Sequence, residues 1–289
     1  NTDGTFADAL YASAGQDCRT LAVGDLNGDG RLDVLTGNLG TTDVSVLLGR
    51  GPGTFRTATQ AVGRNPVALA TGDFTGNGHL GLAVLDGVSN DVMILPGNGD
   101  GTFQRPLTIP LTAGGQPMAL VAADFNHDGR LDLAVAGPTL DTVSILLGNG
   151  DGTFRSLAPI PVAGGPTALV AGDLDGDGQI DLAVADSTDG TVRILLGHGD
   201  GTFRLLDPIR LNPGQPNPGP AALAIGNFAA GAHADLAVAE ANTNDVAILP
   251  GLGGGRFGSP TRYKLDDGGG YVALYLSMTS GDFRQDGLT

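Results

Sequence analysis

The 289-residue chain has no tryptophan, one cysteine and few aromatic residues of any kind, 5% in all. A lone Cys18 cannot close an intrachain disulfide, and without a second cysteine there is neither a zinc knuckle nor a CxxC redox pair. Its thiol is expected to be a small buried apolar group ahead of the first innermost strand. Positive charge is scarce. Fifteen Lys and Arg stand against 31 Asp and Glu, and the formal net charge of -16 repels phosphate backbones and anionic lipid, so nucleic acid is not an expected partner. Apolar runs stop at about eight residues, too short for a membrane span, and no charged start followed by an apolar core marks a signal peptide. The chain opens on Asn1 and reads as a mature or excised segment of a longer chain. GxSxG, HExxH and GxxxxGK[ST] are all missing, which removes the commonest nucleophile, zinc-hydrolase and phosphate-loop readings. There is no RGD and no N-x-S/T sequon either.

What is present in quantity is Gly, 49 residues, and Pro, 17, without a collagen period and scattered between short apolar runs. That composition describes many short strands joined by tight turns. Self-similarity gives the organisation. GDLNGDGRLDVLTGN starts at Gly24, GDFTGNGHLGLAVLD at Gly72, ADFNHDGRLDLAVAG at Ala123 and GDLDGDGQIDLAVAD at Gly172. A worn GNFAAGAHADLAVAE starts at Gly226, and GDFRQDGLT runs from Gly281 to the end. The leading Asp or Asn falls at 25, 73, 124, 173, 227 and 282, a spacing of 48 to 55 residues. A second motif trails each first one, ending at Phe55, Phe103, Phe154, Phe203 and Phe257, as in LLGNGDGTF. Residues 1–6, NTDGTF, are the tail of one more copy.

Each unit reads as four strands: Thr167 to Ala171, then the acidic loop, Leu182 to Ala185, Thr191 to Leu196, a Gly-rich turn, and a last strand from Phe203. Four strands per unit of this length make a propeller blade. The Leu-Ala-Val-Ala runs at 133–136 and 182–185 are apolar at every position, as a strand covered on both faces must be. A WD40 propeller would show Trp-Asp, which this chain cannot supply. The Phe of each second motif is expected to plug between blades. The predicted fold is therefore an all-β propeller in one domain, 1–289, with blades at about 19–62, 67–112, 117–162, 167–211 and 220–265, and a partial blade at 271–289 with its outer strand at 5–12. A six-blade ring would take two middle strands from a longer parent chain, and a seven-blade ring a further blade.

The paired signatures resemble the FG-GAP or VCBS repeat family, whose best-known member fold is the propeller of integrin α subunits. The resemblance implies a propeller with calcium in its first hairpin loops. It says little of activity, because such repeats occur in adhesins, lectins, lipases and lyases.

The residues themselves also point to a cation. Calcium takes six to eight oxygens at about 2.3–2.6 Å, which a tight loop supplies from alternate side chains and one carbonyl. Positions 1, 3, 5 and 9 of the loop carry oxygen side chains, position 6 is Gly, and position 7 varies as a carbonyl ligand allows. The first loop offers Asp25, Asn27, Asp29, the carbonyl of Arg31, and Asp33. The third offers Asp124, Asn126, Asp128, Arg130 and Asp132, and the fourth Asp173, Asp175, Asp177, Gln179 and Asp181. An EF-hand would need Glu at position 12 and flanking helices, and position 12 here is Thr36, Val135 or Val184. The second loop keeps Asp73, Thr75 and Asn77 but has Gly81 at position 9, so its binding is weak or absent. The fifth keeps only Asn227 and Asp235 and is expected to be metal-free, and the sixth, with Asp282 and Asp286, ends before its ninth position. About three structural calcium ions are expected.

His79, His127, His198 and His233 occupy variable turn positions and read as surface residues. The tyrosines, Tyr11, Tyr263, Tyr271 and Tyr275, gather toward the last quarter around GGGYVALYLS, where packing of a last inner strand competes with a ligand site. The function expected is a secreted or cell-surface interaction module, a monomeric domain whose protein or glycan ligand the sequence does not name. The competing reading is a carbohydrate-active propeller, a lectin or a lyase, dehydratase or hydrolase with its site where the repeat is broken. No lone base or nucleophile stands out from the repeat, which favours the non-enzymatic reading.

Overall fold

The computed structural model describes residues 10–62, 65–111, 115–214, 216–229, 231–265 and 278. The chain is an all-β propeller with five blades, each a meander of antiparallel strands running from an inner to an outer position. The partial blade expected from 271–289 and 5–12 falls almost entirely outside the described residues. Two compact units divide the described residues, one up to Ile160 and one from Pro161 onward.

The first unit holds three blades. Blade 1 is β1 (Cys18–Gly24), β2 (Asp33–Asn38), β3 (Asp43–Gly51) and β4 (Thr54–Ala61). Blade 2 is β5 (Pro66–Gly72), β6 (Gly81–Asp86), β7 (Asp91–Leu95) and β8 (Leu107–Pro110). Blade 3 is β9 (Ala119–Ala123), β10 (Asp132–Gly137), β11 (Thr142–Gly148) and β12 (Phe154–Ser156), with the short β13 (Ile160–Pro161) at the unit boundary. The second unit holds blade 4, β14 (Pro166–Gly172), β15 (Asp181–Asp186), β16 (Thr191–Gly197) and an outer strand split into β17 (Phe203–Leu205) and β18 (Ile209–Arg210). Blade 5 is β19 (Pro220–Gly226), β20 (Asp235–Glu240), β21 (Asp245–Leu249) and, beyond a small hairpin of β22 (Gly251–Gly253) and β23 (Arg256–Phe257), β24 (Thr261–Lys264). Pro66, Pro166 and Pro220 each open an inner strand, where a missing N–H does least harm, and each is followed by a bulge in the ladder to the next strand.

Strand alternation explains the uninterrupted apolar runs. In β6, Leu82 and Val84 pack with Leu35, Val46 and Leu48 of blade 1. The intervening Ala83 and Leu85 pack with Leu133, Val135 and Leu146 of blade 3. One strand thus serves two cores, each face filled from a different neighbour. Blades 4 and 5 share a third core, in which Ala183, Ala185 and Ile194 meet Leu236, Val238 and Leu249. Burying each of the larger side chains contributes about 1.5–3 kcal/mol, so blades 1 to 3, and likewise blades 4 and 5, stabilise one another strongly. Cys18 departs from expectation. It is exposed, because it is the first residue of β1 ahead of the bulge, and its Sγ lies 3.1 Å from Asn38 Oδ1.

The Gly-rich turn of one blade reaches the acidic loop of the blade before it. Gly101 N–H donates to Leu26 O at 3.3 Å, Gly152 N–H to Phe74 O at 3.0 Å, and, shifted by one residue, Gly254 N–H to Asp175 O at 3.2 Å. Phe103, Phe154 and Phe257 follow these turns and pack on the shared cores, where Phe154 meets Phe74 with ring centroids 6.4 Å apart. Gly152 sits at φ +83°, and a Cβ there would lie 2.7 Å from Leu107 Cδ1 and 3.2 Å from Thr75 Cγ2. Gly152→Ala should therefore cost about 2–4 kcal/mol from left-handed strain and overpacking together, read as a lowered urea midpoint with an unchanged slope.

Candidate metal centre

The acidic loops are the β1–β2, β5–β6, β9–β10, β14–β15 and β19–β20 connections. Their second residue is apolar in every copy, and Leu26, Phe74, Phe125 and Leu174 are buried anchors that hold the loop against the blade. Sequence reasoning passed over them, although an apolar residue recurs at that place in every copy, Phe228 included.

With the anchor fixed, the loop wraps onto its own carboxylates. In the first, Asp25 accepts the N–H groups of Asp29 at 3.1 Å and Gly30 at 2.8 Å, Asn27 Oδ1 accepts Asp29 N–H at 3.1 Å, and Asp29 Oδ1 accepts Arg31 N–H at 2.9 Å. The third repeats the pattern, with Asp124 accepting from Asp128 and Gly129, Asn126 from Asp128, and Asp128 from Arg130. In the fourth, Asp173 accepts from Gly176 and Gly178, Asp175 from Asp177, and Asp177 from Gln179. Gly30, Gly129 and Gly178 take φ values of +79°, +81° and +84°, the left-handed turn that lets the loop close on itself.

This wrapping gathers donors. Oxygens of Asp173, Asp175 and Asp177 lie within 4.8 Å of one another. Two oxygens on opposite sides of a calcium ion are about 5 Å apart, so the spacing fits one such ion. Burial raises the Asp175 carboxyl above its ordinary value, and the Asp177 and Asp173 charges add to the effect. A bound dication would reverse that repulsion.

The ninth position has a second role. Asp33, Asp132 and Asp181 are fully buried, and each accepts two amides: Oδ2 from the second loop residue, Leu26, Phe125 or Leu174, and Oδ1 from Gly49, Gly148 or Gly197 on the next strand. Burial pushes the Asp181 carboxyl up to about 6, against the pull of those two amides, with Asp175 and Asp177 raising it further. A carboxylate oxygen has a second lone pair, so the clamp leaves capacity for a cation. Asp235 keeps the clamp in the fifth loop, accepting from Phe228, Ala229 and Gly251 at 2.8, 2.6 and 2.7 Å, where Ala229 and Gly231 replace the third- and fifth-position ligands. In the second loop Asp73 accepts from Thr75, Asn77 and Gly78, and Gly81 has no carboxylate to offer. Asn77 Nδ2 donates to Gly97 O at 3.1 Å and ties that hairpin instead. Asp282 and Asp286 lie outside the described residues, as do Tyr271 and Tyr275. The four histidines are exposed and dispersed.

The opposite blade ends carry buried polar groups that the repeat does not announce. Glu240 is fully buried and held by Arg262 at 2.9 and 3.0 Å. Asn38 Nδ2 donates to Asp43 Oδ1 and Ser45 Oγ. Asp186, also fully buried, has Arg193 Nε at 2.6 Å in an ion contact off the hydrogen-bond axis. Burial pushes the Asp186 carboxyl up to about 7 from an ordinary 3.8, against the pull of Arg193.

A propeller whose hairpins carry Asp-rich turns at a fixed register, with donors converging in the fourth, is a repeat-built scaffold whose turns are consistent with cation-binding loops. Residues 25–84, 73–135, 129–184 and 173–228 match the FG-GAP-like repeat, and the chain belongs to that family. No curated protein matches the chain in sequence. Among solved structures it is similar to a protein from Lactobacillus plantarum, with TM-score 0.70, 16% identity, and 89% of this chain and 73% of that one covered. A putative 6-phosphogluconolactonase from Bacteroides uniformis gives TM-score 0.66 and 17% identity over 90% of this chain and 77% of that one. An Agrocybe aegerita lectin that recognises non-reducing terminal N-acetylglucosamine gives 0.60 and 21% over 86% and 67%. At these identities the likeness is one of fold.

Asp235→Ala removes the acceptor of three backbone amides in a loop that lacks the third- and fifth-position ligands. It should cost about 3 kcal/mol, equally in calcium and in chelator, by urea titration. Because the Asp186 carboxyl titrates higher in the folded chain than in the unfolded one, its contribution is complete below pH ~4 and is lost as pH rises through about 7. In chelator, melting temperature should fall from pH 5 to pH 8 more steeply for the native chain than for Asp186→Asn.

Proposed function

We propose that this protein is a calcium-stabilised interaction module of the cell exterior, with ions in the first, third and fourth acidic loops acting as clips and not as catalysts. The observation that carries the reading is the convergence of the Asp173, Asp175 and Asp177 oxygens within 4.8 Å on a loop held by a buried clamp and a buried anchor. Asp25, Asn27, Asp29 and Asp33 would hold one ion, Asp124, Asn126, Asp128 and Asp132 a second, and Asp173, Asp175, Asp177 and Asp181 a third, each with the carbonyl at position 7. Bound calcium supplies charge neutralisation. The chain's own residues supply the rest: amides fix the carboxylates, and the next Gly-rich turn presses on the Leu26 and Asp175 carbonyls.

A scaffold role agrees with the equivalence of the loops, which are spread over different blades instead of converging on one reactive point. An adhesive role like that of integrin propellers, or a lectin role like that of the Agrocybe aegerita protein, uses the same scaffold, and no helix among the described residues is long and apolar enough to cross a membrane. A lyase, dehydratase or hydrolase activity would need a base or nucleophile outside the repeat.

Millimolar calcium should raise the melting temperature well above its value in chelator, each site contributing about 2.7 kcal/mol when calcium is 100 times its Kd. Asp128→Asn and Asp177→Asn should each remove part of that rise, while Asp235→Asn leaves it intact. Equal melting in calcium and chelator contradicts the proposal.

A further inference from the structure

Blade 1 departs from blades 2 to 4 at one turn. Blades 2 to 4 read GNGDGTF, GNGDGTF and GHGDGTF, and blade 1 reads GRGPGTF. Arg50 stands in the place of Asn98, Asn149 and His198, and Pro52 in the place of Asp100, Asp151 and Asp200. In the sister turns that carboxylate accepts a threonine hydroxyl, from Thr102 at 2.6 Å, Thr153 at 2.5 Å and Thr202 at 2.6 Å. These hydroxyls, with the threonine N–H groups, hold the three carboxyls below their ordinary range. Blade 1 closes its turn differently, with Thr54 Oγ1 donating to Gly51 O at 2.6 Å. A negative group is thus removed and a positive one added at a single place, in a chain whose net charge is -16.

The place is the rim of a cleft of about 420 Å³. Arg31 enters it from the acidic loop, and Arg50 and Arg56 from the two strands of the β3–β4 hairpin, so three guanidinium groups line one cavity. Arg31 is 3.3 Å from Asp29, whereas among the described residues neither Arg50 nor Arg56 is in an ion pair. Asn27, Asp29 and Asp100 add acceptors, and the buried Leu48 is the one apolar side chain. No other blade combines these cations. The positions of Arg31 and Arg56 are His79 and Gln104 in blade 2, Gln179 and Arg204 in blade 4, and His233 and Gly258 in blade 5. Blade 3 has Arg130 and Arg155 but carries Asn149 and Asp151 at its turn.

We propose that this cleft binds an acidic saccharide, with Arg50 and Arg56 on the carboxylate of a uronate unit and Asp100 accepting its hydroxyls. Its volume lies in the range of small-ligand sites, and guanidinium forks match carboxylates in geometry as well as charge. Asp100 chooses between anions. An acidic peptide or polyphosphate has few hydroxyls to give it and would be repelled by it, whereas a uronate presents both a carboxylate and vicinal hydroxyls. The proposal gives the interaction role above a ligand and rests on that role, but not on calcium.

The test is calorimetric titration of the full chain with trigalacturonate in EDTA at low ionic strength. Binding is expected, weakening as salt is added, with none for neutral maltotriose and at least about tenfold weaker affinity for hexaglutamate. The double change Arg50→Asn with Pro52→Asp restores the sister turn, so it should melt like the native chain and lose at least about tenfold in affinity. Arg56→Ala should lose a similar factor, and Arg155→Ala, at the same place in blade 3, none. Absence of trigalacturonate binding, equal binding of hexaglutamate, or native affinity in both cleft variants overturns the proposal. A calcium melt on the same sample separates the two readings: no calcium stabilisation with intact uronate binding removes the clips and keeps the cleft, and the converse removes the cleft and keeps the clips.

Discussion

A buried carboxylate that accepts one amide from its own loop and another from the strand beyond holds four of the five first hairpins: Asp33, Asp132, Asp181 and Asp235. A charge with no solvent exposure is costly unless its oxygens are bonded, and here each is. The arrangement fixes where β2, β10, β15 and β20 begin relative to the loops that precede them. In the fourth hairpin, where that is fixed, the first, third and fifth loop carboxylates converge within 4.8 Å. The blade without this carboxylate, blade 2, uses the Asn77 amide on Gly97 O for the same closure, and its donor set is correspondingly poorer.

The loops also couple to their neighbours. Gly101 and Gly152 donate to the backbone of the preceding loop, and the phenylalanines that follow, Phe103 and Phe154, enter the shared core behind it. A cation in the first or fourth loop would therefore stabilise a surface on which the next blade rests. The charge pattern serves the same end. Of the acidic residues, the ones at fixed offsets gather in the loops, while Arg50 replaces the Asn or His of the turns in blades 2 to 4 and joins Arg31 and Arg56 at one cleft.

Much of this was legible in the sequence, because a repeat states each rule several times. The strands around the fourth loop follow from Thr167, Leu182 and Thr191 and the Gly-rich turn between them, and the central strands from runs such as Leu-Ala-Val-Ala that have no polar side to show water. The spacing of the loop's oxygen side chains was equally plain, down to the glycines at positions 30, 129 and 178 that take the left-handed turn. What could not be read was anything that depends on a partner far away in the chain. The double amide on Asp33 comes partly from Gly49, and the Arg262 pairing of Glu240 joins strands that no spacing rule links. Cys18 was misplaced for a related reason. Its exposure depends on where the first ladder bulges, and the composition around it carries no sign of that.

The central claim is that the first, third and fourth acidic loops are cation sites and the fifth is a clamp alone. A crystal structure of the chain grown in millimolar calcium, with anomalous difference maps, tests this directly. The account predicts strong peaks within the loops at 25–33, 124–132 and 173–181, each with six to eight oxygens at about 2.3–2.6 Å, and none at 227–235. Waters in place of ions in all three acidic loops, with the carboxylates still held by their amides, would contradict it.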